Sequence, residues 1–343
     1  MLARAGIRRA TDIERLGREM PGVSRERIGE GTSPIRSRKR RHVNNRSGIG
    51  GLINLCYDGD AGKQILFYEG VYDMNVKRVC ALYFSPTGGT ERIARLVAEN
   101  LAEKLNLKWK FFDITKPENR RKDYHFREDE LVVMASPVYA GRLPNKLMPE
   151  YKARIFGEGT LAVPICVFGN RSPDESLREL MILMEDNGFR IVGAAAFAGR
   201  HAFSDQVGAG RPDESDLDEM EGFVNKVVHK LTESRIMLLE TDHSELGAYY
   251  TPLKEDGTPA KFLKARPHTD ADKCIHCGLC AEECPLGSID AETMETVGLC
   301  IKCQACVRRC PVHARYFEDA DFLSHVAMLE KNYKRRAENI VIV

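Results

Sequence analysis

The chain has 343 residues, 43% hydrophobic and 29% charged, with a formal net charge of +1. That is the balance of an ordinary globular protein with room for two or more domains, and a charge so near zero gives no reason to expect nucleic acid. No run approaches the roughly 18 apolar residues of a membrane span and no secretory signal stands out, so neither a membrane nor export is expected.

Residues 1–73 are unlike the rest. They hold 14 Lys+Arg against 9 Asp+Glu, a net of +5, whereas the other 270 residues hold 37 against 41, a net of −4. The segment includes Arg36-Ser37-Arg38-Lys39-Arg40-Arg41 and the glycine-rich Gly48-Ile49-Gly50-Gly51, and sustains no helix or strand period. A targeting peptide would be poor in acids, and Asp12, Glu14, Glu19, Glu26 and Glu30 speak against one. The segment therefore reads as a poorly structured basic extension. Met74-Asn75-Val76-Lys77-Arg78 leads straight into a buried-strand pattern, as many α/β domains open. The expectation is an over-extended gene start at 1–73 and a working protein that begins at Met74.

From 74 to 232 strand and helix patterns alternate. Val79–Phe84 is a near-continuous apolar run, as a strand covered on both faces requires. Glu91–Leu105 is helical, with Ile93, Val97, Leu101 and Leu105 at steps of four. Further strands are expected at 107–114, 131–135, 161–168 and 191–198, and helices at 143–155, 173–187 and 214–231. Five β/α alternations imply a doubly wound parallel sheet whose ligands bind at the carboxyl ends of the strands. Pro164 cannot donate to a ladder, so a local bulge is expected in its strand.

The loop after the first strand reads Ser85-Pro86-Thr87-Gly88-Gly89-Thr90. Hydroxyls and glycine amides at a helix N-terminus make an anion site, although an ordinary capped turn has the same composition. With no Lys it is not a Walker A loop, and with no G-x-G-x-x-G it is not a Rossmann fingerprint. Two more strand-end loops are Ser136-Pro137-Val138-Tyr139-Ala140-Gly141-Arg142 and Gly169-Asn170-Arg171. Tyr139 suits a flat ring to stack on, or else packs on the following helix. Together the loops make 74–232 resemble a flavodoxin domain, which implies FMN and the strand order 2-1-3-4-5. On that resemblance Ser85, Thr87, Gly88, Gly89 and Thr90 hold the phosphate. Ser136, Pro137, Tyr139, Ala140 and Gly141 border the ring on one side, and Gly169 and Asn170 on the other. His201, after the fifth strand, is a structural or solvent-exposed residue, or else a proton donor to reduced flavin or a contact for a partner. Gly210-Arg211-Pro212-Asp213 caps the last helix.

Residues 233–266 carry turn signals at Thr251-Pro252, Asp256-Gly257-Thr258-Pro259 and Arg266-Pro267. Tyr249, Tyr250, Phe262 and Leu263 are too apolar for a free linker, so this connector is expected to pack on its neighbours.

Eight of the eleven cysteines fall in 267–315, as C-x2-C-x2-C-x3-C-P written twice: Cys274, Cys277, Cys280, Cys284 and then Cys300, Cys303, Cys306, Cys310. Thiolates at this spacing wrap three corners of an iron–sulfur cubane, and the fourth cysteine reaches the other cluster. That assigns Cys274, Cys277, Cys280 and Cys310 to cluster I, and Cys300, Cys303, Cys306 and Cys284 to cluster II. Zinc usually takes two separated ligand pairs, and disulfides belong to small secreted chains, so both are weaker readings. The stretch resembles bacterial ferredoxins with two [4Fe-4S] clusters. Of the other three cysteines, Cys80 and Cys166 sit in apolar runs as core thiols, and Cys56 lies in the extension. The usage fits a reducing cytoplasm, in a cell poor in oxygen. In 316–343, Phe322, Val326, Leu329 and Tyr333 have helical spacing, as a short amphipathic helix docked on the core would.

The span 77–343 as a whole resembles the flavodoxin–ferredoxin fusion proteins of anaerobic bacteria and archaea. The expected fold is α/β: a flavodoxin-like, doubly wound parallel five-stranded sheet plus a small α+β bacterial-type ferredoxin domain. The resemblance implies an electron carrier that relays between FMN and two [4Fe-4S] clusters and serves redox protein partners. A substrate-converting oxidoreductase, and a scaffold whose flavin loops have decayed, are the alternatives.

Overall fold

A computed structural model describes Leu52–Cys56, Ile65–Glu69 and residues 76–343. Residues 76–343 belong to one compact unit, and the two strands Leu52–Cys56 and Ile65–Glu69 to a separate one. The expected start at Met74 lies outside the described residues. The basic extension, expected to be poorly structured, contains an antiparallel pair, Leu52–Cys56 against Ile65–Glu69, in register from Leu52↔Glu69 to Cys56↔Ile65. The two segments, LINLC and ILFYE, are rich in strand-forming residues.

The larger unit is built on one sheet. Its strands are β1 (Arg78–Tyr83), β2 (Lys108–Asp113), β3 (Glu130–Pro137), β4 (Thr160–Phe168), β5 (Ala194–Ala198) and β6 (Ile340–Ile342). Their order is β2-β1-β3-β4-β5-β6, parallel except for β6, and Phe189–Ile191 also pairs with β4. This is the flavodoxin-like order 2-1-3-4-5 with one antiparallel strand added at the edge. The helices around it are α1 (Gly89–Leu105), α2 (Met148–Arg154), α3 (Ser176–Asp186) and α4 (Glu214–Thr232), followed near the C-terminus by α5 (Ala320–Asn332). Ile93, Val97 and Leu101 of α1 are fully buried, each worth about 1.5–3 kcal/mol relative to exposure. Asn106 ends α1 in the left-handed region, its amide bonded to the Ala102 and Glu103 carbonyls. Cys80 and Cys166 are fully buried in the core. No helix among the described residues is long and apolar enough to cross a membrane.

Several boundaries differ from expectation. The helix expected at 143–155 forms only over Met148–Arg154, because 143–147 is spent in the loop that leads into it. The bulge expected at Pro164 is in the neighbouring strand. Pro164 stays in register opposite Met134, while Ala162 pairs with Ile191 and Ile165 with Ala195, so one extra residue lies around Val192-Gly193. Val192 N donates to Ala162 O and Gly199 N to Phe168 O, which puts even-numbered β4 residues toward that side. The missing donor of Pro164 therefore meets the place where its partner strand breaks.

The tail does more than dock a helix. Beyond α5, which packs against Val207 and Phe203, the chain returns to the sheet as β6. A buried network fixes the return. Asp216, fully enclosed, receives the Arg211 guanidinium, with Asn339 Nδ2 and Arg336 also bonded to it. Burial alone would raise the Asp216 carboxyl, but hydrogen bonds from Arg211, Asn339 and the Asp213 backbone overcome it and hold it at about 2. Because this lies below the ordinary 3.8, the stabilisation is present above about pH 4 and lost as the pH falls through about 2. Replacing Asp216 with Asn strands the Arg211 charge. Chemical denaturation at pH 7 should show a loss of about 3–5 kcal/mol, and the gap to the parent protein should narrow below pH 4.

Around the cysteine motifs, His268–Thr269 pairs antiparallel with Arg315–Tyr316, and two one-turn helices span Leu279–Glu282 and Ala305–Arg308. Of the connector residues, Tyr249 and Tyr250 pack on the sheet domain and Phe262 meets Phe322 edge-on at 5.5 Å. Leu263, expected to pack, is 90% exposed; the connector is held at this point by its backbone instead, the Leu263 carbonyl accepting from Lys302 Nζ at 2.6 Å.

Candidate functional site

The two cysteine motifs fold as copies. His276 and Gly278 in the first have positive φ, as do Lys302 and Gln304 in the second, and Gly287 is matched by His313. Left-handed backbone is costly for residues with a Cβ, and here it curls each loop around a central space. The trailing cysteine of each motif accepts an amide: Cys284 Sγ from Ser288 N at 3.3 Å and Cys310 Sγ from Ala314 N at 3.2 Å.

Each loop surrounds a cavity, and the cysteines divide across the motifs. Cys300, Cys303, Cys306 and Cys284 line one of about 380 Å³; Cys274, Cys277, Cys280 and Cys310 line another of about 300 Å³. None of the eight is in a disulfide. Among the described residues no three His, Cys, Asp or Glu side chains converge tightly enough for a single metal ion. Each set of four cysteines lines a single cavity, the arrangement the crossed ligand assignment requires. Burial pushes the Cys303 thiol up and the Cys306 thiol up to about 11, so these sulfurs need a cation to be held as thiolates.

The loop after β1 is open for an anion. Gly88 ends it at φ 85, and a Cβ added at Gly88 or Gly89 would meet nothing within 4 Å. Among the described residues the amides of Thr87, Gly89 and Thr90, and the Thr87 and Thr90 hydroxyls, have no hydrogen-bond partner. Ser85 shapes the loop: its Oγ accepts from Glu91 N at 2.9 Å and its amide donates to Thr115 Oγ1 at 2.8 Å. These groups fit a phosphate at the N-terminus of a 17-residue helix.

The loop after β3 is a tight reversal. Tyr139 and Arg142 exchange backbone hydrogen bonds across Ala140 (φ 50) and Gly141 (φ 76). A side chain at Gly141 would strike the Asp174 carboxylate. Ser136 is fully buried and Pro137 half-buried at the end of the strand. The Tyr139 phenol is pushed well above its ordinary range by burial and then by Cys303, Tyr151 and Cys300 beside it.

The loop after β4 departs from expectation. Asn170 was expected at the edge of a flavin ring, but its side chain is committed to the tail. Its Nδ2 donates to the Tyr333 and Arg335 carbonyls, both at 2.9 Å, and its Oδ1 accepts from Arg211 Nη1 and Ala337 N. Gly169 is closed off by the His201 ring, 2.5 Å from where a Cβ would be. His201 is a packing residue: its Nδ1 accepts from Phe203 N, and burial, with His325 and Arg171 adding to it, lowers its pKa to about 4. These contacts give His201 a packing role. The residues present fit the phosphate end of a flavin nucleotide; at the ring end they offer Tyr139 and backbone groups.

The two halves of the site meet through residues that carried no motif. Arg309, just before Cys310, donates from Nε to Pro86 O at 3.3 Å in the anion loop and pairs with Glu283 at 3.1 Å. Buried Arg120 bonds Glu150, Thr115 O at 2.7 Å and Pro285 O at 2.8 Å. Lys116 pairs with Glu282 and Glu283. Leu286 and Ile301, which line the Cys284/Cys300/Cys303/Cys306 cavity, pack on the sheet's core. A lone basic residue beside a motif has no sequence signature, and only the folded chain shows what these touch.

Residues 267–290 match one family model described as a 4Fe-4S binding domain, and 298–316 match a second of the same description. No curated protein matches the chain. Among solved structures, a flavodoxin from the domain Archaea is 14% identical, covering 46% of this chain and 99% of its own, at a TM-score of 0.31. Flavodoxin 2 from Bacillus cereus is 16% identical over 45% of this chain and 99% of its own, at 0.32. The rubredoxin oxygen:oxidoreductase of Desulfovibrio gigas is 14% identical over 46% of this chain and 36% of its own, at 0.33. The chain joins a flavodoxin-like sheet to two 4Fe-4S binding motifs.

Proposed function

We propose that the chain is an electron-transfer protein that keeps FMN and two [4Fe-4S] clusters in fixed apposition. When bound, the flavin supplies exchange between two-electron and one-electron chemistry, and the clusters supply single-electron steps. The observation that carries the reading is the seam itself: Leu286 and Ile301, which line the Cys284/Cys300/Cys303/Cys306 cavity, pack on the sheet's core, and Arg309 reaches Pro86 O in the anion loop. Thr87, Thr90 and the amides at the start of α1 bind the phosphate. Arg309 brings a cation to the same loop from the cysteine module. Cys284, Cys300, Cys303 and Cys306 hold the inner cluster, and Leu286 and Ile301 keep water from the seam. Cys277 is exposed and Ile275 is 61% exposed, so the other cluster is the port for a redox protein partner in a reducing cytoplasm.

The test follows flavin and cluster absorbance together after the photoreduced protein is mixed, without oxygen, with an artificial one-electron acceptor. Apposition within one unit predicts a redistribution rate independent of protein concentration. A rate that rises in proportion to concentration means the two halves serve separate partners, and the relay is then abandoned.

A further inference from the structure

Arg315 is a cation with no anion. It is 3% exposed, on the two-residue strand that pairs with His268–Thr269, and no carboxylate pairs with it among the described residues. Its Nη1 donates to Thr269 Oγ1 and Met294 O, and its Nη2 to Thr296 Oγ1 at 2.9 Å and Pro267 O at 3.3 Å. Its Nε is buried without a partner. Four hydrogen bonds therefore clamp the guanidinium in place, and one N–H is left over. A buried charge left uncompensated costs several kcal/mol, roughly, so a native structure keeps one only opposite a counter-charge.

The counter-charge is set by what surrounds it. Arg315 lines the cavity of Cys274, Cys277, Cys280 and Cys310. The strand that carries Arg315 also packs against the one-turn helix Ala305–Arg308, which holds Cys306 of the other cavity. Both sets of thiolates face one fixed cation.

We propose that Arg315 is the shared counter-ion of the two clusters, its Nε–H serving a ligand sulfur and its charge raising both reduction potentials. The inference rests on the clusters of the proposed function being present. Reduction adds one negative charge to a cluster, and Arg315 offsets that charge from a position that needs no rearrangement. Net charge and hydrogen bonds to sulfur are the protein's main means of setting such potentials. Arg315 is a positioning residue, acting through the cysteine sulfurs.

The experiment is a potentiometric titration, followed by cluster absorbance and electron paramagnetic resonance, of full-length protein purified without oxygen. Arg315→Met and Arg315→Lys are compared with the parent, with iron and sulfide measured on each. Absence of iron from the parent would sink the proposed function itself, separately from this inference. At the potential that half-reduces the parent's clusters, the ratio of reduced to oxidised cluster in the Met variant should fall at least tenfold, equivalent to about 59 mV for one electron. The Lys variant keeps the charge and loses Nε, so its shift should have the same sign and be smaller. A loaded Met variant with an unshifted titration overturns the inference. Should the Met variant lose iron, the Lys variant decides alone: a downward shift supports the inference and an unmoved curve overturns it.

Discussion

Replacing Cys284 and Cys300 together with Ala should leave about four iron and four sulfide per chain, half of the roughly eight that two cubanes require. Replacing Cys284 and Cys277 together should leave almost none. By sequence Cys284 and Cys277 are neighbours in one motif, while Cys284 and Cys300 lie in different motifs. By space the relation inverts, since Cys284 lines the cavity of Cys300, Cys303 and Cys306. Two corners are removed at once so that a cluster cannot survive on three. The sheet domain supplies none of these ligands, so flavin content should be unchanged in both variants. If the Cys284/Cys277 pair is the one that keeps half of the iron, the crossed arrangement is wrong.

Thr87→Ala combined with Thr90→Ala should weaken FMN binding by about a hundredfold or more. The two hydroxyls have no other partner among the described residues, so nothing compensates for their loss. Hydrogen bonds to a charged group contribute roughly 1.5–3 kcal/mol each, and every 1.4 kcal/mol or so is tenfold in affinity. Fluorescence titration of flavin-free protein with FMN measures the change, and iron content serves as the control. The Ser85 hydroxyl is left alone because it braces the loop through Glu91 N. An affinity unchanged by the double substitution would remove Ser85–Thr90 as the phosphate site.

The features legible in the sequence share a physical basis: they are local. Cysteine spacing within one loop encodes the wrapping of a cluster. Apolar runs and the stripe of α1 encode the sheet and what covers it. Illegible features depend on contacts between distant segments. Ile340–Ile342 is three residues long, too short for a strand pattern, and becomes a strand only because β5 offers it an open edge. Asn170 reads as a ligand-loop residue because its loop is in the right place, yet its amide is used by a tail more than 160 residues away. Arg315 looks like any charged residue after a Cys-Pro pair, and its burial follows from the pairing of its strand with His268–Thr269. Leu263 shows the reverse error, an apolar residue left outside while its own carbonyl bonds Lys302.

The return of the chain as β6 governs the order in which the molecule can be finished. The sheet's edge strand leaves the ribosome only after the connector and all eight cluster cysteines. Until then β5 is an unpaired edge, and Asp216 and Arg211 lack the Arg336 and Asn339 contacts that complete their network. A nascent chain therefore carries an incomplete sheet domain through the synthesis of the cysteine module. Sealing that domain requires the module to fold compactly enough for its two ends to reach the same sheet. The path of the backbone in this way ties closure of the sheet domain to compact folding of the cysteine module.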